Sequence, residues 1–122
     1  MQDRFRFRAF DKENKKYIYN VEKGLQFYST AGNLRVMTLA EIEESDKYDL
    51  EQCTGLRDGN GKLIYEGDIV SVPELYNDIP TGKTRKYKVL YKHAAFNIHG
   101  VNTERLEVVG NIHKNPELLE ED

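Results

Sequence analysis

The run from Cys53 to Val70, CTGLRDGNGKLIYEGDIV, is compatible with few folds, because two turn signals sit close together between β-forming segments. Asp58-Gly59 and Asn60-Gly61 offer two adjacent tight turns with positive φ, a backbone state that Gly and Asn reach at little steric cost. A hairpin is predicted here. Lys62-Leu63-Ile64-Tyr65 then reads as a strand that stops at Glu66-Gly67-Asp68, where a second turn sends the chain into Ile69-Val70-Ser71-Val72. Leu63, Tyr65, Ile69 and Val70 supply the apolar side. The Asp68 carboxylate suits hydrogen bonding within that turn better than acid catalysis.

Three segments resemble the hallmark blocks of the YopX-like proteins of phages and prophages: FRAFDKENKKYIY at Phe7 to Tyr19, TGLRDGNGKLIYEGDIV at Thr54 to Val70, and EVVGNIHKNPELL at Glu107 to Leu119. The middle block is the most specific of the three. Leu25 to Leu50 and Pro73 to Asn102 carry little of the resemblance. Phe10 stands where the family usually has Trp, Cys53 where an aromatic is common, and Gly59 where Lys is common. The resemblance implies a mainly β fold and a tendency to self-assemble, and brings no activity or catalytic residues with it.

At 122 residues the chain fits one domain with a modest core, expected to span 1–122. The 8 Tyr and 5 Phe, beside 32% charged residues, point to a core that leans on aromatics under a well-solvated surface. No segment reaches the roughly 20 consecutive apolar residues of a membrane helix, and MQDRFRFRAF lacks the apolar region of a signal peptide. With a single cysteine, Cys53, no intrachain disulfide can form. A soluble protein of the bacterial host's cytoplasm is expected.

Arg4-Phe5-Arg6-Phe7-Arg8 alternates at period two, placing Phe5, Phe7 and Ala9 on one strand face and three arginines on the other. Asp11 to Lys16 reads as a polar turn and Tyr17-Ile18-Tyr19 as the returning strand. Leu25 to Tyr28 and Leu34 to Met37 are further short strands. Thr38 with Glu41 fits a capping box, so a helix of about two turns is predicted to Glu44 or Ser45. The acidic stretch Glu41 to Glu51 reads as a solvated connector. Pro73 to Thr84, with two prolines, Asn77, Asp78 and Gly82, reads as a long exposed loop. Arg85 to Lys92, Ala94 to Ile98 and Leu106 to Ile112 are strands, and Asn115-Pro116-Glu117 opens a short terminal helix or turn.

Between Ile79 and Thr103 there is no acid, while Lys83, Arg85, Lys86, Lys88 and Lys92 interleave with Tyr87, Tyr91 and Phe96. Two readings compete. Cations and stacking aromatics could form a nucleic-acid surface. Alternatively, the alternation buries Tyr87, Val89 and Tyr91 and leaves the lysines as a solvated face, and this second reading is preferred. Arg4, Arg6 and Arg8 present the same choice, or could pair with an acidic patch such as Glu41 to Glu51 within or between subunits.

His93, His99, His113 and Cys53 are the soft ligands, and no pair has a zinc spacing. Asp58-Gly59-Asn60-Gly61 continues with Lys62 and Leu63, where a calcium loop needs an oxygen ligand and Gly. Neither a dinucleotide fingerprint nor a nucleophile elbow is present. No metal, cofactor or catalytic residue is predicted. Asp58, Gly59, Asn60, Gly61, Gly67 and Asp68 are expected to be structural turn residues. The sequence therefore points to a single antiparallel β domain, barrel or sandwich, with one or two short helices and no catalytic role, and the family resemblance implies that it acts as a homo-oligomer that can bind a phage or host protein. A nucleic-acid-binding β domain is the alternative.

Overall fold

The computed structural model describes residues 5–92, 95–96 and 103–119. The backbone divides into two compact units, Met1–Cys53 and Thr54–Asp122.

In the first unit, β1 (Phe7–Asp11) and β2 (Lys16–Tyr19) form an antiparallel hairpin. Its turn is built by Asp11, whose Oδ1 accepts the N–H groups of Glu13 and Asn14 at 3.0 and 3.1 Å. A 3-10 turn at Val21–Lys23 leads to a second hairpin, β3 (Leu25–Tyr28) and β4 (Leu34–Met37). The helix α1 (Leu39–Glu44) follows with the expected capping box: Thr38 Oγ1 accepts the Glu41 N–H at 3.2 Å, and Glu41 Oε1 accepts the Thr38 N–H at 3.1 Å. The strand β5 (Tyr48–Arg57) then pairs with β1 in the register Phe7↔Gln52 to Asp11↔Tyr48. Ala9, Val21 and Ile42 form the core of this unit, with Ile18, Leu25, Leu39 and Leu50 packed against it.

In the second unit the end of β5 turns into β6 (Leu63–Tyr65). Beyond it, β7 (Asp68–Tyr76) lies between β8 (Ile79–Lys88) and the last strand. A short pair, β9 (Tyr91–Lys92) and β10 (Ala95–Phe96), precedes that last strand, β11 (Glu107–Asn111). Ile64, Val70, Val89 and Leu106 make the core. A single 3-10 turn at Pro116–Leu119 follows β11, with the Leu118 N–H donated to the Asn115 carbonyl at 3.1 Å. The class is mainly antiparallel β with one short α-helix, as read from the sequence.

Two expectations are corrected. The stretch Pro73 to Thr84 is no loop but the distal part of the β7–β8 hairpin, closed by Asn77 and Asp78 at φ 49° and 64°. Two successive residues of positive φ make the tight hairpin turn that matches strand twist. The prolines are tolerated by position: Pro73 lies past Ser71, the last residue of β7 that β11 reaches, and Pro80 lies on the outer strand. The connector read over Glu41 to Glu51 is likewise structured, since it contains most of α1 and the start of β5.

Candidate partner surfaces

Register decides which side chains share a face of the β3–β4 hairpin. Leu25 opposes Met37 and Phe27 opposes Arg35 on one face, while Gln26 opposes Val36 and Tyr28 opposes Leu34 on the other. Leu25 and Met37 turn toward the core of the first unit. The opposite face is left to solvent, with Tyr28 75%, Leu34 55% and Val36 53% exposed. A second exposed apolar group, Leu75, Tyr76 and Ile79, sits at the tip of the β7–β8 hairpin, where Tyr76 opposes Ile79.

The basic residues separate by environment. Lys83 and Arg85 are exposed on β8, and Arg85 Nε lies 3.5 Å from Glu74 Oε2. Lys86 and Lys88 are half-buried, against the expectation that they solvate the strand. Tyr87 lies opposite the buried Val70, as the alternation requires, yet remains 46% exposed because β8 is an outer strand. Lys83, Arg85, Lys86 and Tyr87 line an open groove of about 500 Å³ whose other wall includes Leu118 and Leu119. Lys92 falls on β9, and its side chain, like all of Arg4, lies outside the described residues, as do His93 and His99.

For Arg8 the structure decides between the two readings, against a surface role. Arg8 is buried, its Nε is 2.7 Å from the equally buried Glu51 Oε1, and its guanidinium carbon stacks 4.2 Å from the Tyr17 ring centroid. The reason lies in pairing: Arg8 opposes Tyr19 on β2 and Glu51 on β5, so a central strand sets its guanidinium directly beside the Glu51 carboxylate. This is the pairing with the acidic stretch that the sequence left as one option. Arg6 is half-buried, and its carbonyl accepts the Cys53 N–H at 2.9 Å.

The turn residues hold backbone. Asp58 Oδ1 accepts the N–H groups of Asn60 and Lys62, both at 2.9 Å, while Oδ2 accepts the Val108 N–H at 2.9 Å. One carboxylate therefore closes the β5–β6 turn and ties it to β11. Burial pushes the Asp58 carboxyl up, but the N–H groups of Val108, Lys62 and Asn60 outweigh it and hold the group below the usual carboxylate range. Gly61 has φ 82° and Gly67 φ 88°. Asp68, also buried, accepts the Tyr65 N–H at 2.8 Å, which fixes the β6–β7 turn. Among the described residues no group of three side chains is placed to hold a metal ion, and no helix is long and apolar enough to cross a membrane.

Residues 6–120 match the YopX protein family. The chain belongs to the YopX family. Among solved structures, the crystal structure of protein EF1440 from Enterococcus faecalis is similar at TM-score 0.60 and 24% identity, covering 93% of this chain and 96% of that one. At that identity the likeness shows the fold alone. No curated protein matches.

Within this YopX chain, the departure at Gly59 has a local cause. A Cβ at Gly59 would lie 2.5 Å from the Glu104 carbonyl oxygen, and the Gly59 N–H donates to the Leu106 carbonyl at 2.8 Å. Glycine is needed there for close approach, whereas positive φ is confined to Gly61 in that turn. Sequence reasoning missed the exposed face of Tyr28, Leu34 and Val36. Strand alternation in Leu25 to Tyr28 and Leu34 to Met37 carried the signal, but both strand faces are rich in apolar residues and neither is marked as inner.

Proposed function

We propose that this chain is a non-enzymatic accessory protein of a phage or prophage, working in the cytoplasm of the bacterial host through self-association and partner binding. The observation that carries the reading is the β3–β4 hairpin, whose outer face presents Tyr28, Leu34 and Val36 to water. A two-stranded ribbon is marginal alone, and a contiguous apolar face is stabilised by being covered. Family membership supports the setting, because the resemblance in all three sequence blocks is to phage and prophage proteins. Light scattering at micromolar concentration tests it, with the expected result a mass above 14.2 kDa; a monomer at every concentration overturns it. Affinity capture from infected cells with nuclease treatment separates protein partners from nucleic-acid bridges.

A second reading, nucleic-acid binding, draws on the exposed Tyr87 beside Lys83, Arg85 and Lys86 in one groove. Stacking and phosphate contacts need such a combination. It ranks second because Glu74 shares the groove and the net charge is -3. Titration with single-stranded DNA at low salt is expected to show no micromolar binding. Binding that is lost in Lys83→Gln with Arg85→Gln would reverse the order.

A further inference from the structure

The hydrogen-bond phase of the β3–β4 hairpin fixes what its outer edge offers. The Ser29 N–H donates to the Asn33 carbonyl at 2.8 Å, and the Gly32 N–H donates to the Ser29 carbonyl at 2.8 Å with Gly32 at φ 84°. That is a three-residue hairpin loop ending in a glycine bulge. Bonded and non-bonded pairs alternate away from it. Phe27↔Arg35 and Leu25↔Met37 are then the bonded pairs, while Gln26 and Tyr28 turn their N–H and C=O groups away from β4. β3 and β4 form a two-stranded sheet, so these groups meet no further strand among the described residues.

Length and charge together single out this edge. Exposed outer strands are ordinarily protected by charged side chains, above all lysine. β2 carries Lys16, β4 carries Arg35, and β8 carries Lys83, Arg85, Lys86 and Lys88. β6 and β10 also lack a charge but are only three and two residues long, whereas β3 runs for four residues, Leu-Gln-Phe-Tyr, without a charge or a proline. An isologous contact brings a strand against its own copy, so a charged edge meets like charge and an uncharged one does not.

We propose that β3 pairs antiparallel with β3 of a second copy, with Phe27 on the two-fold axis; this rests on the self-association reading above. In that register Gln26 faces the partner subunit's Tyr28 twice over, which satisfies every outward N–H and C=O of both strands. Phe27, 42% exposed, meets its mate in the close, non-bonded type of pair, where aromatic rings contact well. On the opposite face Tyr28, Leu34 and Val36 of the two copies join into one apolar surface. The occupant is therefore a second copy of this chain, selected by edge complementarity.

The test uses the full chain. Phe27→Cys under mild oxidation should give a covalent dimer on a non-reducing gel that the wild type, whose Cys53 is buried, does not give. Gln26→Pro removes an outward N–H without touching the β3–β4 ladder, and Phe27→Lys sets two like charges on the axis; both should at least halve the mass seen by light scattering. Tyr76→Lys, on the other hairpin, should leave it unchanged. A monomeric wild type overturns this pairing and the self-association reading together. An oligomeric wild type that Gln26→Pro and Phe27→Lys leave intact, and that Phe27→Cys fails to cross-link, overturns the β3 pairing alone.

Discussion

At the residue scale two buried carboxylates organise the chain in different ways. Glu51 meets Arg8 at 2.7 Å with both side chains nearly inaccessible. Removing one partner strands a charge away from water, a change that typically costs about 3–5 kcal/mol. Arg8→Ala is expected to lower unfolding stability in urea by that amount. Arg8→Met combined with Glu51→Leu should recover most of it, because the desolvation cost disappears with both charges. Asp58 instead binds three backbone N–H groups. Asp58→Ala orphans them and should cost about 2–4 kcal/mol. Its folded pKa is depressed, so the stability it contributes is present above the unfolded value near 3.8 and is lost as pH falls through the lower folded value. Acid unfolding monitored below about pH 4 should accordingly show a smaller loss in Asp58→Asn than in wild type.

At the element scale the local signals were legible and the long-range ones were not. The capping box of α1 and the turn at Asp58 to Gly61 depend on residues a few positions apart, so spacing alone reveals them. The burial of Arg8 depends on Glu51, 43 positions away, and no local pattern distinguishes it from Arg6. The β7–β8 hairpin was misread because Pro73, Pro80 and Gly82 share the composition of a loop, although Asn77-Asp78 carried a tight-turn signal. Gly82 has φ 86° within a register shift of the β7–β8 ladder, and its position has open space around a hypothetical Cβ. Gly61 is the same in both respects. Gly61→Val and Gly82→Val should therefore each cost about 1 kcal/mol or more through backbone strain alone. Gly59→Ala, at ordinary φ but against the Glu104 carbonyl, should cost at least as much by forcing backbone apart. Thermal shifts of the three variants check that order.

For the whole molecule, an assembly formed through β3 makes stability a function of concentration. Association that favours the folded state raises the unfolding temperature by mass action, so the midpoint should climb as the protein is concentrated and stop doing so in Gln26→Pro. The order of the strands has a separate consequence for synthesis. β7 is flanked by β8, which follows it at once, and by β11, which ends at Asn111. Its segment Asp68 to Ser71 is matched by β11, and Ile69 and Val70 are fully buried in the finished fold. At roughly 5–20 residues per second, the ~35 residues between the ends of β7 and β11 take about 2–7 s to translate. Throughout that interval a nascent chain shows one side of an apolar strand to its surroundings. That interval, opened when β7 is complete and closed when the Val108 N–H reaches the Asp58 carboxylate, is the one in which any chaperone that binds unpaired strand edges would act on this chain.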